Sequence, residues 1–346
     1  MKTRALAVHH ANDPLVAWEF DRRQLRAGDV ALDITYAGIC HSDIHQAREE
    51  WGPALFPMVP GHEIVGIVRK VGPSVTKFSV GDRIGVGVFI DSCRTCVNCL
   101  AGLQQYCLEG MTGTYNQLER DGVTLAQGGY SNLFVIDQDY AVHVPENLDM
   151  AGVAPLLCAG ITLYSPLKHW GAKAGMKVGV MGLGGLGHMG VKFAAALGAE
   201  VTVFSHSPSK EADAKAMGAH HFVMTKDPSN LKAEEGTFDL ILNTVSAELD
   251  INTYLNLLKL DGTLVVIGLP GKPYSVHVGT LLGARRSMAG SMIGGIPELQ
   301  EMLDFCGVHN ITSDVEVIKA DYVNIAYERT VASDVKYRFV IDAQTI

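Results

Sequence analysis

The chain has 346 residues, is 47% hydrophobic and 19% charged, and carries a formal net charge of −9. That length suggests about two domains, and the apolar content excludes a disordered chain. The acidic balance excludes nucleic acid as the main partner, and no apolar run reaches the ~18 residues of a membrane span.

The opening stretch, "MKTRALAVHHANDPLVAWEF", lacks the charged head and apolar core of a secretory signal, so a cytoplasmic protein is expected. Seven cysteines, an odd number, are then expected to persist as thiols or metal ligands. Up to residue 150 the chain reads as short strands broken by turns: "VALDITYAGIC", "GHEIVGIVRKVG", "GDRIGVGVF" and "GGYSNLFVID". Glycine recurs and helical periodicity is weak, which predicts a β-rich unit with a barrel-like core.

From about Val153 the pattern changes. "MKVGVMGLGGLGHMGVKFAAALGAEVTVFS" reads as a buried strand, a glycine turn, an amphipathic helix and a second strand. "FDLILNTVS" and "DGTLVVIGLP" add further apolar strands, with the helix-compatible "LDINTYLNLLKL" between them. Strand alternating with helix predicts an α/β domain with a doubly wound parallel sheet over 151–286. The glycine-rich "MAGSMIGGIPELQEMLDF" and the final "VKYRFVID" fit that sheet poorly, so 287–346 is assigned with 1–150.

Gly182, Gly184 and Gly187 form a G-x-G-x-x-G turn between strand and helix, with Leu183, Gly185 and Leu186 filling it. One glycine permits the turn, one lets the backbone approach a pyrophosphate, and one lets helix and strand pack closely. Helix-terminal N–H groups would hold the negative charge. The second strand ends in Ser205, His206 and Ser207, followed by Lys210, where an NAD-binding protein places Asp or Glu. Hydroxyls and an ammonium can bind a 2′-phosphate that a carboxylate would repel, so NADP(H) is favoured over NAD(H). The serines could also serve only as a helix N-cap.

Cys93, Cys96, Cys99 and Cys107 supply a closed set of four thiolates, the donor set of a structural zinc. An iron–sulfur cluster can use similar spacing but asks for a redox role that nothing else in the chain requires. Three other stretches hold possible ligands: "GICHSDIH" with Cys40, Ser42, Asp43 and His45, "PGHE" with His62 and Glu63, and "LLCAGITLY" with Cys158. Spacing alone does not assemble them into a site.

Taken together, "GICHSDIHQAREEWG", "PMVPGHEIVGIV", "CRTCVNCLAGLQQYC", "APLLCAGITLYSPL", "GLGGLGHMGVKFA" and "KYRFVID" resemble the zinc-dependent medium-chain alcohol dehydrogenases. The resemblance is greatest to their cinnamyl-alcohol-dehydrogenase-like branch of aldehyde reductases. It implies a GroES-like catalytic domain over 1–150 and 287–346 around a Rossmann cofactor domain, with two zinc ions per chain. Cys40, His62 and Cys158 would bind the catalytic zinc beside an exchangeable water, and Glu63 could approach it when substrate is absent. Asp43 would orient the imidazole. Zinc would act as a Lewis acid on the substrate oxygen, with Ser42 and His45 passing the proton to solvent. Thr162, Thr244, Gly268, Ser291, Met292 and Ile293 would contact the cofactor, the last three near its carboxamide. Trp51, Leu55 and Ile293 are candidate pocket walls, and Gly283 and Gly290 are expected where the chain crosses between domains.

After Cys107 the chain reads "LEGMTGTYN", without the aromatic residue of the plant lignin enzymes, so broad aldehyde use is expected rather than strict cinnamyl specificity. The resemblance further implies a homodimer on the cofactor-domain edge, and the NADP-type loop after the second strand implies reduction of aldehydes as the main direction. The competing readings are an NAD-dependent polyol dehydrogenase and a zinc–thiol redox sensor.

Overall fold

A computed structural model describes residues 1–346. The chain divides into two compact units, Met1–Ile161 with Gly294–Ile346, and Thr162–Ile293.

The first unit is built on the long strand Asp29–Gly38. Its first half pairs antiparallel with Leu133–Asp137, its last residues with Arg338–Asp342, and its other edge with Ile64–Val71. Register shifts opposite Ala31–Leu32 and Ile34–Tyr36 bend this pairing, as bulges do, and so curve the sheet. Seven strands join in this sheet, and two further hairpins, Lys2–Ala7 with Val16–Asp21 and Phe89–Asp91 with Thr112–Gly113, flank it. One core of this unit gathers Leu6, Val8, Ile39, Ile44, Met58, Tyr130, Tyr327 and Phe339. It lies directly against the "GICHSDIH" and "PGHE" stretches, and so sets how firmly their side chains are held.

The second unit is a six-stranded parallel sheet. Its strands are β1 (Lys177–Met181), β2 (Glu200–Ser205), β3 (His221–Met224), β4 (Phe238–Asn243), β5 (Leu258–Val266) and β6 (Ser287–Gly290). They lie in the order β3-β2-β1-β4-β5-β6. This is the doubly wound order of dinucleotide-binding folds, with its switch point between β1 and β4. Phe204, Phe238, Ile241, Leu255 and Leu264 fill the core on one side. Near-continuous apolar strands such as "VTVF" and "LILN" are what a sheet covered on both faces requires.

Three expectations shift. The unit boundaries fall at Ile161/Thr162 and Ile293/Gly294, not after residues 150 and 286. The turns Met150–Val153 and Ala154–Leu157 pack on strands of the first unit, which carries Cys158 with it. Ser287–Gly290, assigned from sequence away from the parallel sheet, is its sixth strand and pairs with Thr263–Val266. It is short, flanked by glycine and polar residues, and only partly covered, so it lacks the apolar signature of its neighbours. Consequently neither Gly283 nor Gly290 marks the crossing: Gly283 caps the helix Val278–Leu282, and Gly290 closes β6.

Candidate functional site

The helix His41–Ala47 begins at Cys40, and Asp43 in its first turn folds back to accept the Cys40 N–H at 2.9 Å. Asp43 is fully buried, and its carboxylate has three more donors: the Gly61 N–H at 3.0 Å, His62 Nδ1 at 3.1 Å and the Tyr130 hydroxyl at 3.0 Å. A carboxylate on Nδ1 keeps a proton there and leaves Nε2 as the ring atom a metal would take. Against burial, Asp43 and Cys40 raise His62 well above its usual value, so a metal bound at Nε2 displaces a proton. That Nε2 is buried and has no partner in the protein. An orphaned buried nitrogen is costly unless something binds it.

The ligand atoms of Cys40, His62, Glu63 and Cys158 all lie within 4.8 Å of one another. Hydrogen bonding from Cys158 holds the Cys40 thiol well below the ordinary thiol range and pushes Cys158 up in return. Two sulfurs sharing a proton beside a free imidazole nitrogen form a donor set that zinc fits, since metal binding releases that proton. Glu63 is also fully buried. One of its oxygens accepts from Arg338 Nη2, while Oε2 faces the cluster unpartnered. Burial pushes the Glu63 carboxyl up to about 7, with the Arg338 charge opposing. Arg338 is held in turn by the Ile39 carbonyl, at 2.8 Å from Nη2. Gly38 leaves the space this carboxylate needs: a Cβ there would stand 2.0 Å from Glu63 Oε2.

Ser42 Oγ lies 3.6 Å from Cys40 Sγ. His45, one turn along the same helix face, is partly exposed, stacks on Trp51 at 4.7 Å and bonds Glu50 through Nδ1. Trp51 and Leu55 are 52% and 44% exposed, so neither is a core residue.

The second sulfur cluster is equally compact. The ligand atoms of Cys93, Cys96, Cys99 and Cys107 lie within 4.8 Å of one another, and all seven cysteines of the chain are free thiols. Backbone N–H groups point at the sulfurs: Cys96 to Cys93 at 3.3 Å, Cys93 to Cys107 at 3.3 Å and Leu108 to Cys96 at 3.5 Å. Such donors favour thiolates, and those from Thr95 and Cys96 hold Cys93 down to about 6. Burial pushes Cys99 up to about 11. The lobe has little core of its own, for Val97, Leu100 and Leu108 are exposed.

In the parallel-sheet unit, Gly182 turns with φ +84°, and its N–H bonds the Phe204 carbonyl at 2.9 Å. A Cβ on Gly187 would stand 2.1 Å from the Gly182 carbonyl, so only glycine lets the helix Gly187–Ala196 start there. A Cβ on Gly184 would meet nothing within 4 Å. The protein therefore does not need glycine at that position; an approaching ligand would. Leu183, Gly185 and Leu186 complete the turn, and across the switch point Thr244 Oγ1 donates to the Met181 carbonyl at 2.6 Å. Gly268 packs against the backbone of Thr244 and Val245.

At the end of β2, Ser205 Oγ accepts the Ser207 N–H at 3.2 Å, and the Ser207 and Ser209 hydroxyls bond each other at 3.0 Å. Neither Ser207 nor Lys210 caps a helix through its side chain, so the capping role weighed from sequence is absent. Lys210 Nζ reaches back to the Leu183 carbonyl at 2.7 Å, which joins this loop to the glycine turn. His206 is exposed, Thr162 is buried in the helix Ala159–His169, and Ser291–Met292–Ile293 follow β6, with Ile293 at φ +40°.

Two family models match the chain, "Alcohol dehydrogenase GroES-like domain" over residues 26–146 and "Zinc-binding dehydrogenase" over 185–307. The NADP-dependent alcohol dehydrogenase C 1 of Mycolicibacterium smegmatis is 56% identical over 343 residues, covering 99% of this chain and 98% of its own. The aldehyde reductase YahK of Escherichia coli is 49% identical over 348 residues, covering 100% of this chain and 99% of its own. A solved cinnamyl alcohol dehydrogenase of Sorghum bicolor, SbCAD4, superposes with a TM-score of 0.96 at 44% identity, covering 99% and 98% of the two chains. The chain belongs to the zinc-dependent medium-chain alcohol dehydrogenases, in their cinnamyl-alcohol-dehydrogenase-like branch.

In this dehydrogenase the three dispersed stretches lie together, because the helix start, the Gly61 turn and the Leu157–Cys158 turn all abut the same strands. Sequence reading missed three residues. Arg338 stands inside the quoted "KYRFVID" and supplies the counter-charge that a buried Glu63 demands. Tyr115 stacks on His62 at 5.9 Å, and Tyr130 donates to Asp43. The signal available for them was only an aromatic residue beside glycine or asparagine, which looks like an ordinary turn.

Proposed function

We propose that this dehydrogenase is an NADP(H)-dependent enzyme interconverting primary alcohols and aldehydes of broad type, working mainly as an aldehyde reductase. The carrying observation is the buried cluster of Cys40, His62 and Cys158 around an imidazole nitrogen with no protein partner. These three side chains would hold the catalytic zinc, with Glu63 in reserve, and Cys93, Cys96, Cys99 and Cys107 would hold a second, structural one. Bound there, a zinc ion supplies Lewis acidity toward the substrate oxygen.

The protein's own groups divide the remaining work. Asp43 sets the tautomer of His62 and keeps it aimed. Ser42, next to the Cys40 sulfur, would exchange a proton with the substrate oxygen, and His45 would carry it toward solvent, since its ring is partly exposed. Arg338 stabilises Glu63 as a carboxylate.

Cofactor choice follows from the end of β2. Ser205, His206, Ser207 and Lys210 offer hydroxyls, an imidazole and an ammonium where an NAD enzyme offers a carboxylate. The relative named an NADP-dependent alcohol dehydrogenase, at 56% identity, supports the same choice. Thr162, Thr244, Gly268, Ser291, Met292 and Ile293 would complete the cofactor contacts, and Trp51, Leu55 and Ile293 the pocket walls. A polyol dehydrogenase using NAD is disfavoured by the same loop, and a thiol sensor built on the four-cysteine lobe leaves the Cys40–His62–Cys158 cluster unexplained. We also favour a homodimer through the outer edge of β6, whose neighbourhood exposes Leu260, Val278 and Leu282. The two sets of clustered cysteine ligands need a compartment that keeps thiols reduced, which supports a cytoplasmic location.

An aldehyde panel assayed with both cofactors, before and after chelation, tests this reading. Turnover should prefer NADPH and vanish on removal of the exchangeable zinc; equal kcat/KM with NADH would overturn the cofactor assignment. Lys210→Ala should raise the NADPH Michaelis constant about 10–100-fold while sparing that of NADH, the size of one charge-assisted hydrogen bond. Gly184→Ala separates ligand from fold. The thermal midpoint should stay within about 1 °C of wild type, because the new methyl meets no protein atom, while NADPH affinity falls. A large drop in the midpoint with unchanged affinity would show that Gly184 serves packing instead.

A further inference from the structure

The segment Gly128-Gly129-Tyr130 straps the loop that carries His62. Gly128 N–H bonds the Val59 carbonyl at 2.7 Å, Gly129 N–H that of Gly61 at 2.9 Å, and Tyr130 N–H that of Pro60 at 3.0 Å. Both glycines are required by close approach. A Cβ on Gly128 would stand 2.3 Å from the Pro60 carbonyl oxygen, and one on Gly129 would stand 2.3 Å from Ile64 Cγ1. Gly61 turns with φ +102°, and a Cβ there would run into the Tyr130 ring at 2.6 Å.

With backbone and strap locked together, the fully buried Tyr130 side chain delivers its hydroxyl to Asp43 Oδ2 at 3.0 Å. The other oxygen of that carboxylate takes His62 Nδ1 and the Gly61 N–H. Tyr327 meets the Tyr130 ring edge-on at 6.4 Å and packs in the same core.

We infer that Tyr130 is a positioning residue for the catalytic metal: through Asp43 it fixes the His62 ring, and so sets how tightly the Cys40–His62–Cys158 cluster retains its ion. Without the hydroxyl, one Asp43 oxygen keeps only the Cys40 N–H, and the carboxylate can rotate away from the imidazole. The inference rests on the assignment of that cluster to an exchangeable zinc.

Tyr130→Phe keeps the ring and removes only the hydroxyl. The experiment follows zinc transfer from the intact enzyme to a chromogenic chelator, alongside kcat, KM and the far-ultraviolet dichroism spectrum. In Tyr130→Phe one zinc should leave about 10-fold faster than in wild type, the low end of the cost of losing a direct outer partner of a metal ligand because Tyr130 acts through Asp43, while the second leaves at the wild-type rate. Tyr327→Phe, which removes a neighbouring buried phenol whose hydroxyl makes no hydrogen bond to Asp43, should release both ions at wild-type rates. Unchanged release from Tyr130→Phe overturns the inference, as does equal acceleration in Tyr327→Phe, which would mark general loosening of the core. A wild-type enzyme with no exchangeable zinc would instead overturn the assignment of the cluster itself.

Discussion

Replacing Cys158 with serine is expected to remove the zinc proposed for the Cys40–His62–Cys158 cluster, to leave the one proposed for the four-sulfur lobe, and to lower kcat/KM for aldehyde reduction by at least about 10³-fold. Zinc prefers thiolate to a hydroxyl that stays protonated at neutral pH, so the variant offers two good ligands where the native cluster offers three. A Lewis acid at a substrate oxygen contributes several kcal/mol of transition-state stabilisation, and each ~1.4 kcal/mol is tenfold in rate. Cys158 lies in a buried turn against strands of the first unit, and serine is nearly isosteric, so the fold should survive. Metal analysis and steady-state kinetics on one preparation check both halves. Full activity with two zinc ions retained would mean that the ion sits elsewhere.

The second large effect is expected at the four-sulfur lobe. Cys107→Ser should cost the other zinc, and with it the order of residues 93–108, while the Cys40–His62–Cys158 cluster keeps its ion. The lobe exposes Val97, Leu100 and Leu108 and forms only a four-residue helix and a single 3₁₀ turn, so apolar burial cannot hold it. Structural zinc binding contributes ~10–16 kcal/mol in small zinc-binding peptides, which leaves the lobe without a substitute for its ion. Limited proteolysis should cut the variant within the lobe under conditions that leave the wild type whole. A second effect should follow at the helix Ile296–His309, whose first N–H bonds Gln104 Oε1 at 3.1 Å. A Cβ on Gly295 would stand 1.7 Å from the Gly102 carbonyl, so lobe and helix start are closely fitted. Because that helix follows Ser291–Ile293 in the chain, NADPH binding should weaken as the lobe loosens. A protease-resistant variant with unaltered cofactor affinity would show that the lobe is held by something other than its metal.

The two constellations differ in how far they could be read from sequence. Cys93, Cys96, Cys99 and Cys107 lie within fifteen residues, and a closed four-thiolate set has few alternatives. The glycine turn is similarly local, since strand, turn and helix are consecutive in the chain. Cys40, His62 and Cys158 are different. No local rule joins residues so far apart, and it was the family resemblance that brought them together. The short strand Ser287–Gly290 escaped detection for a related reason. It is a strand because β5 offers it an edge, and its own residues do not demand it.

Sequence by itself determined the local chemistry: four clustered thiols, a glycine turn before a helix, and a β2 end without a carboxylate. Each depends on neighbours within fifteen residues of one another in the chain. Tertiary structure alone decided which isolated polar groups share a site and which partners they take. Arg338 meets Glu63 across 275 positions, and Tyr130 meets Asp43 across 87. Pairings at that range arise from strand register and core packing, which bury each charge or donor beside the one group that can satisfy it.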